Sequence, residues 1–347
     1  MNNSLYKSNN EIIVPTMSIL ERNFKFFVLL IMHMPSLCCS MFILYHFRWN
    51  RLANQILGVL VTVNLLTILF ELPFTLIYLR DGFVRNQKIC PGWILVNYSL
   101  FILSIILIAW ASIERYLFIY NEQLIKRCRI LLHYIPIGFF IVYTPTFYTG
   151  LVIFYPCEQA FNPTNYICGG PCYLFRIVPC MIDWGTNVVL VLLVTCFMNS
   201  FLIIYNVKQR FRMRGSIITA DKSQQWRRTM KLSIQLFSIS SLCVIGWVPY
   251  GVVSTLQIFS NTDLLTFLLS TFFIYFPYAQ TSFTPYVCLL FIPEIKKKFR
   301  STLQSSWFIK LICHKNQVHV SNDEQLNTLT RCDTMIRTKK TVQAQPL

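Results

Sequence analysis

Charge is scarce in this chain: Lys, Arg, Asp and Glu make up 13% of its 347 residues, against 54% that are hydrophobic. A soluble protein of this length, enough for two domains, carries roughly a quarter charged residues and mixes them into every element. Also missing are a Gly-rich phosphate loop, an HExxH sequence and a zinc-spaced Cys/His set, so nothing local points to nucleotide, metalloprotease or zinc-module chemistry. Neither an enzyme nor a bound metal or cofactor is expected. The first residues lack the basic region, apolar stretch and small-residue cleavage site of a secretory signal, and the first apolar run is expected to target the chain itself. No internal repeat of the kind that marks many transporters is visible.

What the chain has instead is apolar runs of about 20 residues, each enough to cross roughly 30 Å of hydrocarbon. Their polar breaks predict spans near 24–47, 53–79, 90–119, 130–154, 180–207, 230–258 and 264–291. The expected fold is therefore an all-α membrane protein, a seven-transmembrane helix bundle whose first partner is the lipid bilayer. Basic residues number 31 and acidic ones 14, for a net charge of +17, which in a soluble protein would suggest nucleic-acid binding. Here Lys and Arg crowd one side, with eight from Lys208 to Lys231 around the fifth-to-sixth connection, while only Lys7, Arg22, Lys25, Arg80, Arg85, Lys88 and Arg176 fall on the other. Basic connections stay in the cytoplasm, which puts the N-terminus outside and the C-terminus inside, with no nucleic-acid partner.

The chain then divides into an extracellular N-terminus at 1–23, the bundle at 24–291 with a long outer connection at 155–179, a surface helix at 292–313, and a cytoplasmic tail at 314–347 expected to be disordered. Ile295, Phe299, Leu303, Trp307 and Leu311 recur at helical spacing among charges, so the segment after Pro293 reads as an amphipathic helix on the inner membrane surface. Cys313 at its end is a palmitoylation candidate, and Asn2, in Asn2-Asn3-Ser4, is a glycosylation candidate. Cys38, Cys39, Cys196, Cys243 and Cys288 fall inside apolar runs as small buried hydrophobes. Cys90, Cys157, Cys168 and Cys172 lie in outer connections, where disulfides persist.

The third span begins at Cys90 and ends at Glu114-Arg115-Tyr116. Twenty-five residues at about 1.5 Å each make roughly 37 Å, so Cys90 sits at one membrane face and Arg115 at the other. An Arg there is costly unless paired, and Glu114 can supply the partner; an Arg snorkelling from a helix end would leave the same mark. In the sixth span Pro249 removes a backbone hydrogen bond and gives the helix a pivot beside Trp247. A buried Trp packed beside a kink is the plainer alternative.

Ala-Ser-Ile-Glu-Arg-Tyr-Leu at 111–117 resembles the E/DRY signature of rhodopsin-like G-protein-coupled receptors, and Cys90 stands where that family places a disulfide-bonded cysteine. Gly246-Trp247-Val248-Pro249-Tyr250 is similar to its CWxP, and Thr284-Pro285-Tyr286-Val287-Cys288 followed by Pro293 to Phe299 is similar to NPxxY and the basic helix after it. The resemblance covers about residues 24–300. It implies a plasma-membrane receptor that binds an extracellular ligand and activates a heterotrimeric G protein. Glu114, Arg115, Tyr116 and Tyr205 would serve coupling; Trp247, Pro249, Thr284 and Pro285 would form the activation switch. A disulfide from Cys90 to the long connection is implied, with Cys172 preferred and Cys168 the alternative, while Cys157 and Cys168 flank its turn and could pair with each other.

Departures mark a divergent member. Ser36, Asn64, Cys243, Thr284 and Cys288 stand where the family usually carries other residues, and the fourth-span Trp and fifth-span Pro have no counterpart. Ser104 matches the serine of the family's sodium site. Thr229 falls where many members place the acid that holds the E/DRY arginine at rest, so no ionic lock is expected there. Basal signalling should be raised, and Thr229→Glu should lower it in a ligand-free G-protein activation assay; an unchanged baseline would refute the assignment.

Mapped through these motifs, the ligand-facing candidates are Asn97, Phe101, Trp247, Tyr250 and Tyr278, with packing the simpler role for most of the aromatic content. Glu71 and Asp183 join them because acids inside or at the edge of a membrane are expensive, a snorkelling surface role being the competing reading. Asn97 stands where amine-binding members carry an Asp, and Tyr278 where retinal-binding members carry the Schiff-base Lys, which disfavours both ligand classes. The 155–179 connection, with Asn162-Pro163-Thr164-Asn165 as a turn between two extended arms, reads as a hairpin lid. Such lids are common in peptide receptors of the family, so a peptide is the expected ligand and a small chemosensory molecule the alternative. A transporter or channel would need charged or broken helices lining a path, which the span interiors beyond Glu71 do not offer.

Overall fold

Seven helices in the computed structural model are long and apolar enough to cross a hydrocarbon layer: α1 (Ile19–His46), α2 (Asn54–Asp81), α3 (Gln87–Ile119), α4 (Ile130–Phe154), α5 (Ile177–Tyr205), α6 (Ser233–Gln257) and α7 (Leu264–Phe291). The structure describes residues 18–47, 49, 52–120, 122–159, 161–214, 220–260 and 262–305. Asn2, Cys313 and the tail from 314 lie outside these residues, as does the side chain of Thr229. No strand occurs among the described residues. From Pro293 onward the chain forms a separate unit whose described part is α8 (Pro293–Ser305), a short helix carrying Lys296, Lys297, Lys298 and Arg300.

The polarity of the bundle is inverted relative to a soluble protein. Large apolar side chains point outward, among them Ile31 at 69%, Leu193 at 62% and Ile245 at 64% exposure. Asn64, Glu71, Ser104, Glu114, His133 and Gln280 are buried. In water such a surface would aggregate; facing lipid tails it is neutral.

Helix α3 is the axis. In its membrane window 72% of residues are buried, against 22% in α4 and 28% in α1, α5 and α7, so α3 is wrapped by neighbours and the others face lipid. It packs on α2, α4, α5 and α6, and its two ends therefore sit at the centre of the two faces of the bundle. Helices α6 and α7 approach closely at Gly246, where a Cβ would sit 3.0 Å from the Phe276 carbonyl oxygen. Glycine is what lets the two backbones meet there.

Local sequence also sets the helix irregularities. Gly82, at φ 81°, closes α2 in a left-handed cap. Pro73 lacks an N–H, and the turn before it widens to a π-turn, Thr67–Glu71, with Leu72 N–H bonded to Thr67 O. Pro136 follows a second π-turn, Ile130–Tyr134, in the same register, and a third, Trp184–Val189, follows Asp183 in α5. Such widened turns re-aim side chains and concentrate at functional positions. Glu71, His133 and Asp183, all buried and ionisable, sit in or beside these three, whereas a fourth π-turn, Gly150–Phe154, contains no ionisable residue.

Candidate functional site

At the end of the bundle that carries Cys90, the helices enclose a cavity of about 1170 Å³. Asn97, Phe101, Asp183, Trp247, Tyr250 and Tyr278 are in its wall, brought together from α3, α5, α6 and α7. Glu71 is not. It is fully buried one layer back, reached through Asn97 and Tyr278.

The cover of the cavity departs from the expected hairpin. The turn at Asn162 forms, with its Oδ1 accepting from the Thr164 backbone and hydroxyl at 3.0 and 2.6 Å, but no pair of extended arms follows. Instead the chain coils through four successive residues of positive φ, Ile167 at 49°, Cys168 at 52°, Gly169 at 80° and Gly170 at 81°. Glycine accepts this region freely; a β-branched Ile does so at a cost of about 1–3 kcal/mol, which the surrounding cross-links must offset. Cys90 is bonded to Cys168 and Cys157 to Cys172. This corrects the preferred Cys90–Cys172 link: the alternative partner, Cys168, takes Cys90, and Cys172 closes a smaller loop, so Cys157 and Cys168 are not paired with each other. Distance along the chain to α5 misled because the coil doubles back over the start of α3.

The lid is pinned on its other side by Val84 N–H donating to Pro163 O at 2.9 Å and by the Tyr78 hydroxyl donating to Thr164 O at 3.1 Å. From it Tyr166 descends into the cavity and stands among Tyr78, Trp93 and Tyr275, with ring centroids 5.8, 5.7 and 5.3 Å away. Its hydroxyl lies 2.7 Å from that of Tyr278. Burial pushes the Tyr166 phenol well above its ordinary range, and the nearby Glu71 charge pushes the same way. Tyr173, raised by burial and then by Asp183, behaves alike. Both stay neutral hydrogen-bond donors across the physiological pH range.

Two carboxylates are held entirely by neutral donors. Glu71 Oε1 accepts from Tyr278 at 2.6 Å, Thr75 at 2.8 Å and Asn97 at 2.9 Å, with Trp93 Nε1 at 3.4 Å. Its Oε2 has no hydrogen-bond partner among the described residues. Asp183 Oδ1 accepts from Tyr148 at 2.8 Å and Asn187 at 2.9 Å, and Oδ2 from Tyr173 at 2.9 Å. Asn187 is itself oriented by the Tyr143 hydroxyl at 3.1 Å.

Deeper in the bundle Trp247 donates to Gln280 Oε1 at 2.8 Å, and Gln280 Nε2 donates to Ser104 at 3.0 Å. This chain joins α6, α7 and α3 directly beneath the cavity, with Phe101 edge-on to both Trp247 and Tyr278 at 6.2 and 5.1 Å. Thr284 turns its hydroxyl back to Gln280 O at 2.7 Å, one residue before Pro285, and Pro249 lies inside the α6 helix. Asn64 is fully buried, and neither polar atom of its amide has a hydrogen-bond partner among the described residues.

At the opposite end Arg115 is 4% exposed and Glu114 1%. Glu114 Oε1 lies 2.7 Å from His133 Nδ1, and His133 Nε2 lies 2.9 Å from Gln55 Oε1. The carboxylate beside Arg115 is thus tied to α4, and through His133 to α2. Tyr116 packs near Phe201 of α5 at 6.5 Å, and Tyr205 is half-buried further along that helix. His133, Gln280 as a tie, and the tyrosines around Asp183 were not among the expected site residues. For His133 a signal existed, since an ionisable residue inside a span is by default a functional candidate; for the tyrosines there was none, because their partner lies on another helix.

Residues 36–288 match the family model described as 7 transmembrane receptor (rhodopsin family). No curated protein matches the chain.

Proposed function

The chain belongs to the rhodopsin family of seven-transmembrane receptors, and on that premise we propose that its lid end faces the cell exterior and receives a peptide. Membership makes it a multi-pass plasma-membrane receptor that binds a ligand and signals through heterotrimeric G proteins, and not an enzyme. The peptide reading is carried by the size of the cavity. About 1170 Å³ exceeds the roughly 300–1,000 Å³ of pockets that enclose drug-sized molecules. The excess of Lys and Arg beyond the Arg115 end supports placing that end in the cytoplasm. There Arg115, with Glu114, Tyr116 and Tyr205, would meet the G protein; Trp247, Pro249, Thr284 and Pro285 would pass on what the ligand does to the wall. Screening peptide and small-molecule libraries in cells carrying promiscuous G proteins tests the reading. Activation by a peptide is expected, and activation by small volatile or apolar molecules alone would overturn it.

Sodium should have little influence on this receptor. The family's sodium site uses an ionised Asp where this chain has Asn64, and at an effective dielectric of about 20 a unit charge pair at 4 Å is worth roughly 4 kcal/mol. An amide supplies no such charge, even with Ser104, Gln280 and Thr284 offering oxygens. Glu71 lies seven residues, about 10 Å, nearer the lid. Agonist affinity is expected to be unchanged when sodium is exchanged for a large organic cation at constant ionic strength. A severalfold fall specific to sodium would show that Asn64 is misassigned.

A further inference from the structure

We propose that the cavity takes a ligand with a cationic head group, an ammonium or guanidinium, and that Asp183 is its counter-ion; this deepens the reading of the cavity as a ligand site and rests on it. The chain carries a net charge of +17, yet among the described residues of the cavity wall none is Lys, Arg or His. Among the described residues the charged ones in the wall are Glu21 and Asp183. Glu21 is already matched by Lys25, whose Nζ lies 2.6 Å away. Asp183 has no cation in ion-pair contact among the described residues; its partners are two hydroxyls and an amide. A carboxylate offers about four lone-pair positions, and three donors occupy three of them. One remains.

The surroundings of Asp183 suit the missing cation. Tyr98 and Tyr148, with ring centroids 5.5 Å apart, and Trp184 and Tyr250, also 5.5 Å apart, all belong to the same wall. Aromatic faces attract ammonium and guanidinium groups, most strongly where water is excluded. The tyrosine hydroxyls orient the carboxylate and lower the cost of burying it without cancelling its charge. Behind the opposite wall Glu71 is likewise held by neutral donors, Tyr278, Thr75 and Asn97, and does not itself line the cavity. An anionic ligand beside Asp183 would meet a carboxylate with no cation in ion-pair contact among the described residues, and a wholly apolar one would seal Asp183 away from any countercharge. Asn97 removes an acid from α3, but α5 supplies one in its place, so a basic peptide end or an amine fits this cavity.

The test uses the full receptor purified into lipid nanodiscs and two fragments of one shape, benzamidinium and neutral benzamide, read by thermal denaturation. Millimolar benzamidinium is expected to raise Tm in a saturable way and benzamide to leave it unchanged. Asp183→Asn should weaken half-saturation by benzamidinium about tenfold or more, with Trp184→Leu as the second variant should the first fail to fold. Equal shifts from the two fragments, no shift from benzamidinium, or unchanged half-saturation in the variant would each overturn the proposal. The peptide reading fails separately: a benzamidinium shift without any activating peptide leaves the cation site standing and removes that reading. Conversely, a peptide agonist that keeps full potency after its amino groups are acetylated and its Arg replaced by citrulline keeps the peptide and removes the cation.

Discussion

Replacing Arg115 with Ala is expected to abolish G-protein activation while leaving surface expression intact. Arg115 is buried at the end of α3 remote from the lid, on the helix most enclosed by the bundle. Removing a buried charge normally costs several kcal/mol when it strands its partner. Here the neighbouring carboxylate keeps a partner without it, because Glu114 Oε1 remains 2.7 Å from His133, which Gln55 holds in turn. The variant should therefore fold and reach the surface, and what it loses is the cation the G protein would meet. Surface immunolabelling beside basal and agonist-driven G-protein dissociation in the same cells makes the measurement. Signalling should drop to that of cells without receptor, and signalling at the level of the parent receptor would remove Arg115 from coupling. Arg115→Lys should rescue little, since an ammonium has neither the planar fork nor the weak hydration of a guanidinium.

The second large effect is expected at the lid. Cys90→Ser or Cys168→Ser should remove the ligand response, whereas Cys157→Ser or Cys172→Ser should only weaken it. The first bond spans 78 residues and the second 15, so chain-entropy arguments give about 4.5 kcal/mol for one and about 3 kcal/mol for the other. Position widens the gap further. Tyr166, two residues before Cys168, reaches the hydroxyl of Tyr278, which bonds Glu71; releasing Cys168 frees the left-handed coil that aims it. Peptide mapping without reduction should recover Cys90 joined to Cys168 and Cys157 joined to Cys172. A free Cys90, or one joined to Cys172, would refute this lid.

The sequence by itself determined the fold class and both ends of the machinery. Seven apolar runs, each bounded by polar breaks, need only be counted, because a bilayer admits little besides helices with satisfied backbones. Fixed offsets along one helix also carry over: Cys90 and Arg115 had to lie at opposite ends of α3 because rise per residue is constant. What the tertiary structure decided is everything that depends on two helices meeting. Asp183 looked like a lone membrane-edge acid until Tyr148 from α4 and Tyr173 from the lid closed on it. Glu71 read as a ligand contact until Asn97 and Tyr278 were seen to stand in front of it. For His133 the sequence carried a signal, an ionisable residue inside a span, but not its partners, Glu114 and Gln55, which lie 19 and 78 residues away. The cysteine pairing belongs to the same class, since four thiols allow three pairings and spacing cannot choose among them. Only the coil that the lid adopts over α3, through residues of positive φ that no sequence period announces, brings Cys168 rather than Cys172 to Cys90.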